Sequence, residues 1–439
     1  MPRRPAAILI LLAMALTPLP AAAPALHWVA SWTASVQGPY PAGNASAQPN
    51  LSLVFPAPLA GARDQSFRLI VRPDIWGPRA RIRLSNAFGS APVTFDGVFV
   101  GAQMSGAALL KGSNRPVAFQ GTPAIAIAPG ESVWSDPIAL PVVNAAQMPG
   151  RKLAVSFHIA GESGPMTWHA KALTTSYLSA GPGSGAKGGD EGEASFPFST
   201  TSWYFLDAVD MMAPATAHAI VAFGDSITNG TASTLNGDDR WPDVLSRRLH
   251  AAYADRYSVV NAGIGGNQVV GPAAYSASAP FSGGPSALQR LDRDVLSLSS
   301  VSAVIWLEGI NDFSRNGNAS AEAVEAGMKE GVSRMRARIR GVRIVGATVT
   351  SALGSTAGTP EQDEKRKVLN AFIRTSGLFD GVADFDKATL DPRTGGLRAE
   401  FVPESTTGGA GDKLHPNRPG YMAMGMAVDL ESLAVKPRR

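Results

Sequence analysis

The segment from Ala219 to Gly230, Ala-Ile-Val-Ala-Phe-Gly-Asp-Ser-Ile-Thr-Asn-Gly, constrains the fold more than any other stretch of this chain. Its small and apolar residues ending at Phe223 read as a buried parallel strand, and Gly224 interrupts that pattern ahead of a polar, turn-forming run. Ser226 is therefore expected at the carboxyl end of a strand. In open parallel α/β sheets ligands bind at that edge, because the loops leaving the strands converge there with helix N-termini pointing in. A lone serine proves little, so the weight falls on what later segments bring to the same edge.

From Thr216 onward strands and helices alternate. Amphipathic or helix-like runs cover Arg240 to Tyr253, Ser286 to Leu298, Ala319 to Arg340, Thr359 to Ser376 and Pro419 to Leu433. Between them, Tyr257 to Val260, Ala303 to Leu307, Arg343 to Val349 and Gly381 to Phe385 read as strands. With the first strand this makes five, joined by helical crossovers, and predicts a parallel, doubly wound α/β sheet. The preceding half behaves differently. Gln65 to Val71, Ala80 to Leu84, Val93 to Val100 and Lys152 to Ile159 alternate as strands, with glycine and proline between them and no sustained helical period. An all-β sandwich or jelly-roll is expected there. Within it, Ser179 to Ser195 has almost nothing to bury and is expected to be a mobile surface loop; a strand resumes over Thr201 to Leu206.

At 439 residues the chain exceeds one ordinary core, and the change of rhythm divides it into an accessory β-domain over 24–215 and an α/β domain over 216–435. Ahead of both, Arg3 and Arg4, an apolar run from Ala6 to Leu16 and the Ala21-Ala22-Ala23 triplet have the layout of a secretory signal over 1–23. The apolar run falls short of the roughly 20 residues that a membrane span requires. Export to the periplasm or medium is expected, with no stable membrane insertion after cleavage. Without any cysteine, the exported protein has no disulfide to lean on. The formal charge of +4 is concentrated at the two termini, and no basic stripe with interleaved aromatics marks a nucleic-acid partner.

Three later segments carry chemistry. Asn261-Ala262-Gly263-Ile264-Gly265-Gly266-Asn267 follows the second strand, and its glycines let the backbone turn tightly and present N–H groups. It matches neither phosphate-loop pattern. After the third strand, Glu308-Gly309-Ile310-Asn311-Asp312 places an asparagine whose amide can meet a developing oxyanion; a turn cap is the plainer alternative. After the last strand, the spacing of Asp412 and His415 lets both project from one turn, so that the carboxylate can fix the imidazole tautomer. Of the six histidines, His27, His158, His169 and His218 fall in the first half or at the junction and His250 lies within a helix, so His415 alone is placed to serve Ser226.

Gly224-Asp225-Ser226, Gly266, Gly309-Ile310-Asn311-Asp312 and Asp412-Lys413-Leu414-His415-Pro416 resemble, in order and context, the four blocks of the SGNH hydrolases, the GDSL esterase/lipase family. The resemblance covers Ala217 to Val435. It implies a three-layer α/β/α domain with a flavodoxin-like five-stranded sheet, with Ser226 as nucleophile, His415 as general base and Asp412 as its orienting partner. It also implies an oxyanion hole from the Ser226 and Gly266 backbone N–H groups and the Asn311 side chain, with Gly265 a neighbouring candidate. The β-domain, opening on Trp28-Val29-Ala30-Ser31-Trp32, looks like that of a secreted bacterial branch of the family. Asp225 is expected to stabilise the turn. The sharp GxSxG elbow of the α/β-hydrolases is absent from the sequence.

The expected reaction is ester hydrolysis through an acyl-enzyme, with no metal or organic cofactor. The expected substrate is a small-molecule or polysaccharide ester carrying short acyl groups, acetyl foremost, on a carbohydrate. A broad short-chain carboxylesterase or lipase is the close alternative. A non-catalytic carbohydrate-binding or surface-adhesion protein is the alternative from another class, and exposed tryptophans among Trp28, Trp32, Trp76, Trp134, Trp168 and Trp203 could serve it by stacking on sugars, although burial is the commoner fate of such residues.

Overall fold

In the computed structural model, residues 25–140, 148, 150–356 and 358–434 are described. The expected signal over 1–23 lies outside them.

Two larger antiparallel sheets, with a small three-stranded one of Gly38–Pro39, Thr167–His169 and Trp203–Tyr204, build the N-terminal region. In the first, Leu26–Thr33 pairs with Leu206–Pro214, which pairs with Arg79–Ser85. In the second, Arg63–Val71 lies between Ser176–Leu178 and Leu153–Glu162, and the latter also pairs with Val93–Ser105. Alternation does the rest: Phe67, Leu69, Phe95, Val155 and Phe157 from one sheet and Val29, Ile82, Leu84 and Val209 from the other enter a common core.

Ser179 to Ser195 departs from the sequence expectation. Arg68 is fully buried on the outer face of the second sheet, where its guanidinium donates to Ser156 Oγ (2.9 Å) and to the carbonyls of Ala107, Asp190 and Gly192. Phe196 covers it at 4.1 Å. The segment is thus pinned through its backbone carbonyls, which composition does not reveal, because any residue type supplies them.

The second half forms a five-stranded parallel sheet from His218–Gly224, Tyr257–Gly263, Val301–Leu307, Arg343–Ala347 and Gly381–Ala383. Its spatial order is second, first, third, fourth, fifth. The order reverses at the first strand, so the crevice for a ligand opens beyond Gly224. Alternate residues of the strands face opposite layers. Val221, Phe223, Val304 and Trp306 meet helices Ala321–Arg338 and Pro360–Thr375, while Ile220, Ala222 and Ile305 meet Trp241–Tyr253 and Arg418–Ala427. Two expected helices are shorter than their apolar patterns: Ala287–Leu291 passes into a π-turn over Asp292–Leu296, and Arg418–Ala427 stops before the 3₁₀ turn Leu430–Leu433. No helix among the described residues is long and apolar enough to cross a membrane.

The β-region lies against the edge strand Tyr257–Gly263, and polar groups lock the contact. Arg72 pairs with Asp243 at 2.7 Å, and buried Asp74 accepts from Val259 N–H (2.6 Å), from Ser246 and from His250 (3.3 Å). Hydrogen bonds to Asp255 and Asp74 push His250 up to about 10 from 6.5. A histidine raised in this way contributes stability that is complete below its unfolded value and is lost as pH rises through the folded one. The melting-temperature deficit of His250→Ala against the wild type should therefore be largest near pH 6 and shrink as pH rises through about 10, a profile that thermal unfolding across pH would measure.

Candidate active site

The first parallel strand ends where only glycine fits: a Cβ on Gly224 would lie 2.1 Å from the Leu307 carbonyl oxygen. Asp225 then caps the short helix Ser226–Asn229, its carboxylate accepting from Ile227 N–H at 2.9 Å, and Gly230 closes the helix in the left-handed region at φ 101°. Ser226 is thereby the first helical residue, with an N–H that the helix cannot satisfy. Its side chain is buried to the point that the residue is 5% exposed.

Asp412 and His415 arrive from the loop before the last helix. One carboxylate oxygen of Asp412 accepts the N–H groups of Leu414 and His415, each at 2.9 Å, which folds the loop into a tight turn with Lys413 at φ 61°. The other oxygen accepts from His415 Nδ1 at 2.5 Å. That bond leaves Nε2 as an acceptor, and the Ser226 hydroxyl lies 2.8 Å from it. The three residues implied by the family resemblance are therefore in one hydrogen-bonded line. Burial alone would raise Asp412, but the imidazole and the two backbone N–H groups hold it well below the usual carboxylate range. Burial lowers His415 below 6.5, outweighing the neighbouring carboxylate, and the charge of Lys171 adds to the lowering.

Opposite the imidazole stands the glycine turn, with Gly266 at φ 84°. Among the described residues neither the Ser226 nor the Gly266 N–H donates to a protein acceptor. Asn311 Nδ2 lies 2.9 Å from the Asn267 carbonyl, which ties this side chain to the same turn. Asp312 supports the arrangement from behind, accepting Val269 N–H at 2.8 Å and Val270 N–H at 3.0 Å. Its burial pushes it up to about 7. Gly265 takes a different part from Gly266, since its carbonyl accepts from Asn44 Nδ2 at 2.9 Å. That carbonyl and the Gly266 N–H share one peptide unit, so the bond fixes the direction in which the N–H points.

Asn44 belongs to the β-region and was not visible as a site residue in the sequence. Neither was Lys171, whose ammonium donates to Thr231 Oγ1 at 2.7 Å, nor His169, whose imidazole lies 3.1 Å from the Asn229 amide. No motif marks them; the only signal is a lysine set between Ala170 and Ala172 in an otherwise apolar stretch. The segment Val269 to Pro285 also leans on the β-region, through Gln37 to the Ser282 carbonyl (2.8 Å) and Tyr275 to the Gln37 carbonyl (3.1 Å). The tryptophans follow the burial expectation: Trp32, Trp76, Trp168 and Trp203 are buried, and Arg81 covers Trp28 and Trp134 at 4.8 and 4.3 Å.

Arg290 holds the two turns together. Its buried guanidinium donates to the carbonyls of Gly224 and Ala262, both at 2.8 Å, to Asn267 Oδ1 at 2.6 Å and to Asp294 at 2.9 Å, with the Phe223 ring at 4.2 Å.

Residues 222–423 match the model of the GDSL-like Lipase/Acylhydrolase family, and the α/β region belongs to that family. The chain is accordingly a carboxylic ester hydrolase. Similar solved structures include Est24, a carbohydrate acetylesterase from Sinorhizobium meliloti (14% identity, 48% of this chain and 95% of that one, TM-score 0.36). An aryl esterase from M. smegmatis (16%, 50% and 100%, 0.37) and a lipase/acylhydrolase from Enterococcus faecalis (23%, 48% and 92%, 0.35) are others. No curated protein matches the chain.

Replacing Arg290 by Met would take the donor from Asn267 Oδ1 and the facing cation from the buried carboxylates of Asp294 and Glu308. The variant should lose about 3–5 kcal/mol of unfolding free energy, as measured by denaturant titration.

Proposed function

We propose that the chain is a serine esterase acting through an acyl-enzyme on Ser226, and the 2.8 Å contact between His415 Nε2 and Ser226 Oγ carries that reading. Neutral His415 takes the hydroxyl proton as Oγ bonds to the ester carbonyl carbon. The negative charge that forms on the carbonyl oxygen is met by the N–H groups of Ser226 and Gly266 and by the Asn311 amide. His415, steadied by Asp412, then gives its proton to the departing alcohol as the C–O bond breaks. Water attacks the acyl-enzyme with the same base and releases the carboxylic acid. No step calls for a metal or organic cofactor.

Short acyl groups, acetyl foremost, on a carbohydrate are the substrate we favour, because Val269 to Pro285, beside the glycine turn, contains no helix that could act as a lipase lid. Release of acetate from acetylated oligosaccharides but little fatty acid from triglycerides would support this choice, and a glyceride-only profile would reverse it. We read residues 24–215 as an accessory domain built onto a catalytic domain over 216–435, in a protein exported by the signal at 1–23.

Ser226→Ala should fold and yet release p-nitrophenol from its acetate at under a tenth of the wild-type rate, and should no longer react with a fluorophosphonate probe; retention of either property removes Ser226 from the nucleophile role. Since the base must be neutral and burial lowers its pKa, kcat/KM should stay level down to pH 6.5 and fall only below it. An acid limb centred above 6.5 in the pH–rate profile would contradict that ordering.

A further inference from the structure

The mechanism above leaves Lys171 unused, although among the described residues it is the cation the β-region brings beside Ser226 and the glycine turn. Backbone bonds fix the segment that carries it: the Lys171 carbonyl accepts from Asn229 Nδ2 at 3.1 Å, the Ala172 carbonyl from Arg240, and the Leu173 carbonyl from Asn236 N–H at 2.9 Å. Its ammonium reaches Thr231 Oγ1, and Thr231 N–H in turn donates to the Ser226 carbonyl at 3.0 Å. On its other side lies the glycine turn, since a Cβ on Gly265 would come within 3.7 Å of Nζ. The charge thus sits between the nucleophile helix and the oxyanion turn.

Its surroundings leave it short of partners. Lys171 is 5% exposed, and among the described residues no carboxylate comes within 4.0 Å of it. Asp412 and Glu404 act on it only from farther off, and burial brings it down to about 8. One neutral hydroxyl returns little of what burying an ammonium costs, and a lysine that merely docked one region on the other would do so more cheaply with its charge in solvent or against an acid. A substrate anion would complete the set.

We propose that Lys171 forms a specificity subsite for a carboxylate or similar anion carried by the alcohol part of the ester, so that the preferred substrates are short acyl esters of acidic saccharides. This rests on the esterase reading, in which the acyl group is short and any charge must lie on the alcohol. The charge also acts on His415 and is acted on by Asp412 and Glu404, so its loss would be felt in the base as well.

The test compares 4-acetoxybenzoate with the neutral, similarly shaped 4-acetoxybenzamide in the wild type, Lys171→Met and Lys171→Arg, with circular dichroism as the check on folding. The wild type should favour the carboxylate in kcat/KM by about tenfold, and that ratio should collapse in Lys171→Met and return in part in Lys171→Arg. In the wild type the ratio should also shrink above pH 8, as the ammonium loses its proton. An unchanged ratio in Lys171→Met, or equal loss on both esters, overturns the subsite while leaving the esterase standing. If Lys171→Met does not fold, the ratio in Lys171→Arg and its pH dependence in the wild type decide the matter alone. A wild type inactive on both esters overturns the esterase reading itself, and the subsite with it.

Discussion

The Arg290 guanidinium is the constraint on which the catalytic edge depends. The carbonyls of Gly224 and Ala262, at the ends of the first two parallel strands, point into the same small space, where each has a second lone pair beyond its bond to the neighbouring strand. A buried fork of N–H groups answers both and reaches on to Asn267, so the Ser226 turn and the glycine turn are fixed relative to each other by one side chain. Asp294 balances its charge. Glu308 lies 3.8 Å away with its other oxygen on Trp306 Nε1, which ties the third strand to the same centre. Rigidity here matters chemically, because donors aimed at a developing charge act only if they need not move to meet it.

The β-region is more than a neighbour of this edge. Asn44 fixes the peptide unit that presents the Gly266 N–H, Lys171 brings a positive charge between the two turns, and Gln37 holds the loop that follows. Removing the β-region would therefore leave Ser226, Asp412 and His415 in the chain but strip the glycine turn of its outer support. The polar contacts of Asp74 with the edge strand and of Arg72 with Asp243 keep the two regions from sliding.

Legibility in the sequence follows physical range. The alternation of strands and helices after Thr216 was readable because each element carries its own periodicity, and the five strands appear where those patterns lie. Ser226, Asp412, His415, Gly266 and Asn311 could be singled out as candidates because each sits in a short block whose spacing reflects a local turn: the Asp412 carboxylate, for instance, binds N–H groups two and three residues ahead of it. The π-turn after Leu291 and the early end of the last helix were missed, since an apolar pattern continues through both. The ordered path of Ser179 to Ser195 was missed because the Asp190 and Gly192 backbone carbonyls that answer Arg68 leave no trace in composition.

By itself the sequence determined a parallel sheet behind a β-rich half, and which residues could stand at the sheet's carboxyl edge, because both follow from interactions spanning a few residues. Only the tertiary structure decided that Ser226, His415 and Asp412 meet at hydrogen-bonding distance and that Asn44 and Lys171, more than 50 residues before Ser226, stand beside them. Such pairings depend on how two separately patterned regions dock, and docking is set by shape and buried polar contacts distributed along the whole chain rather than by any local run of residues.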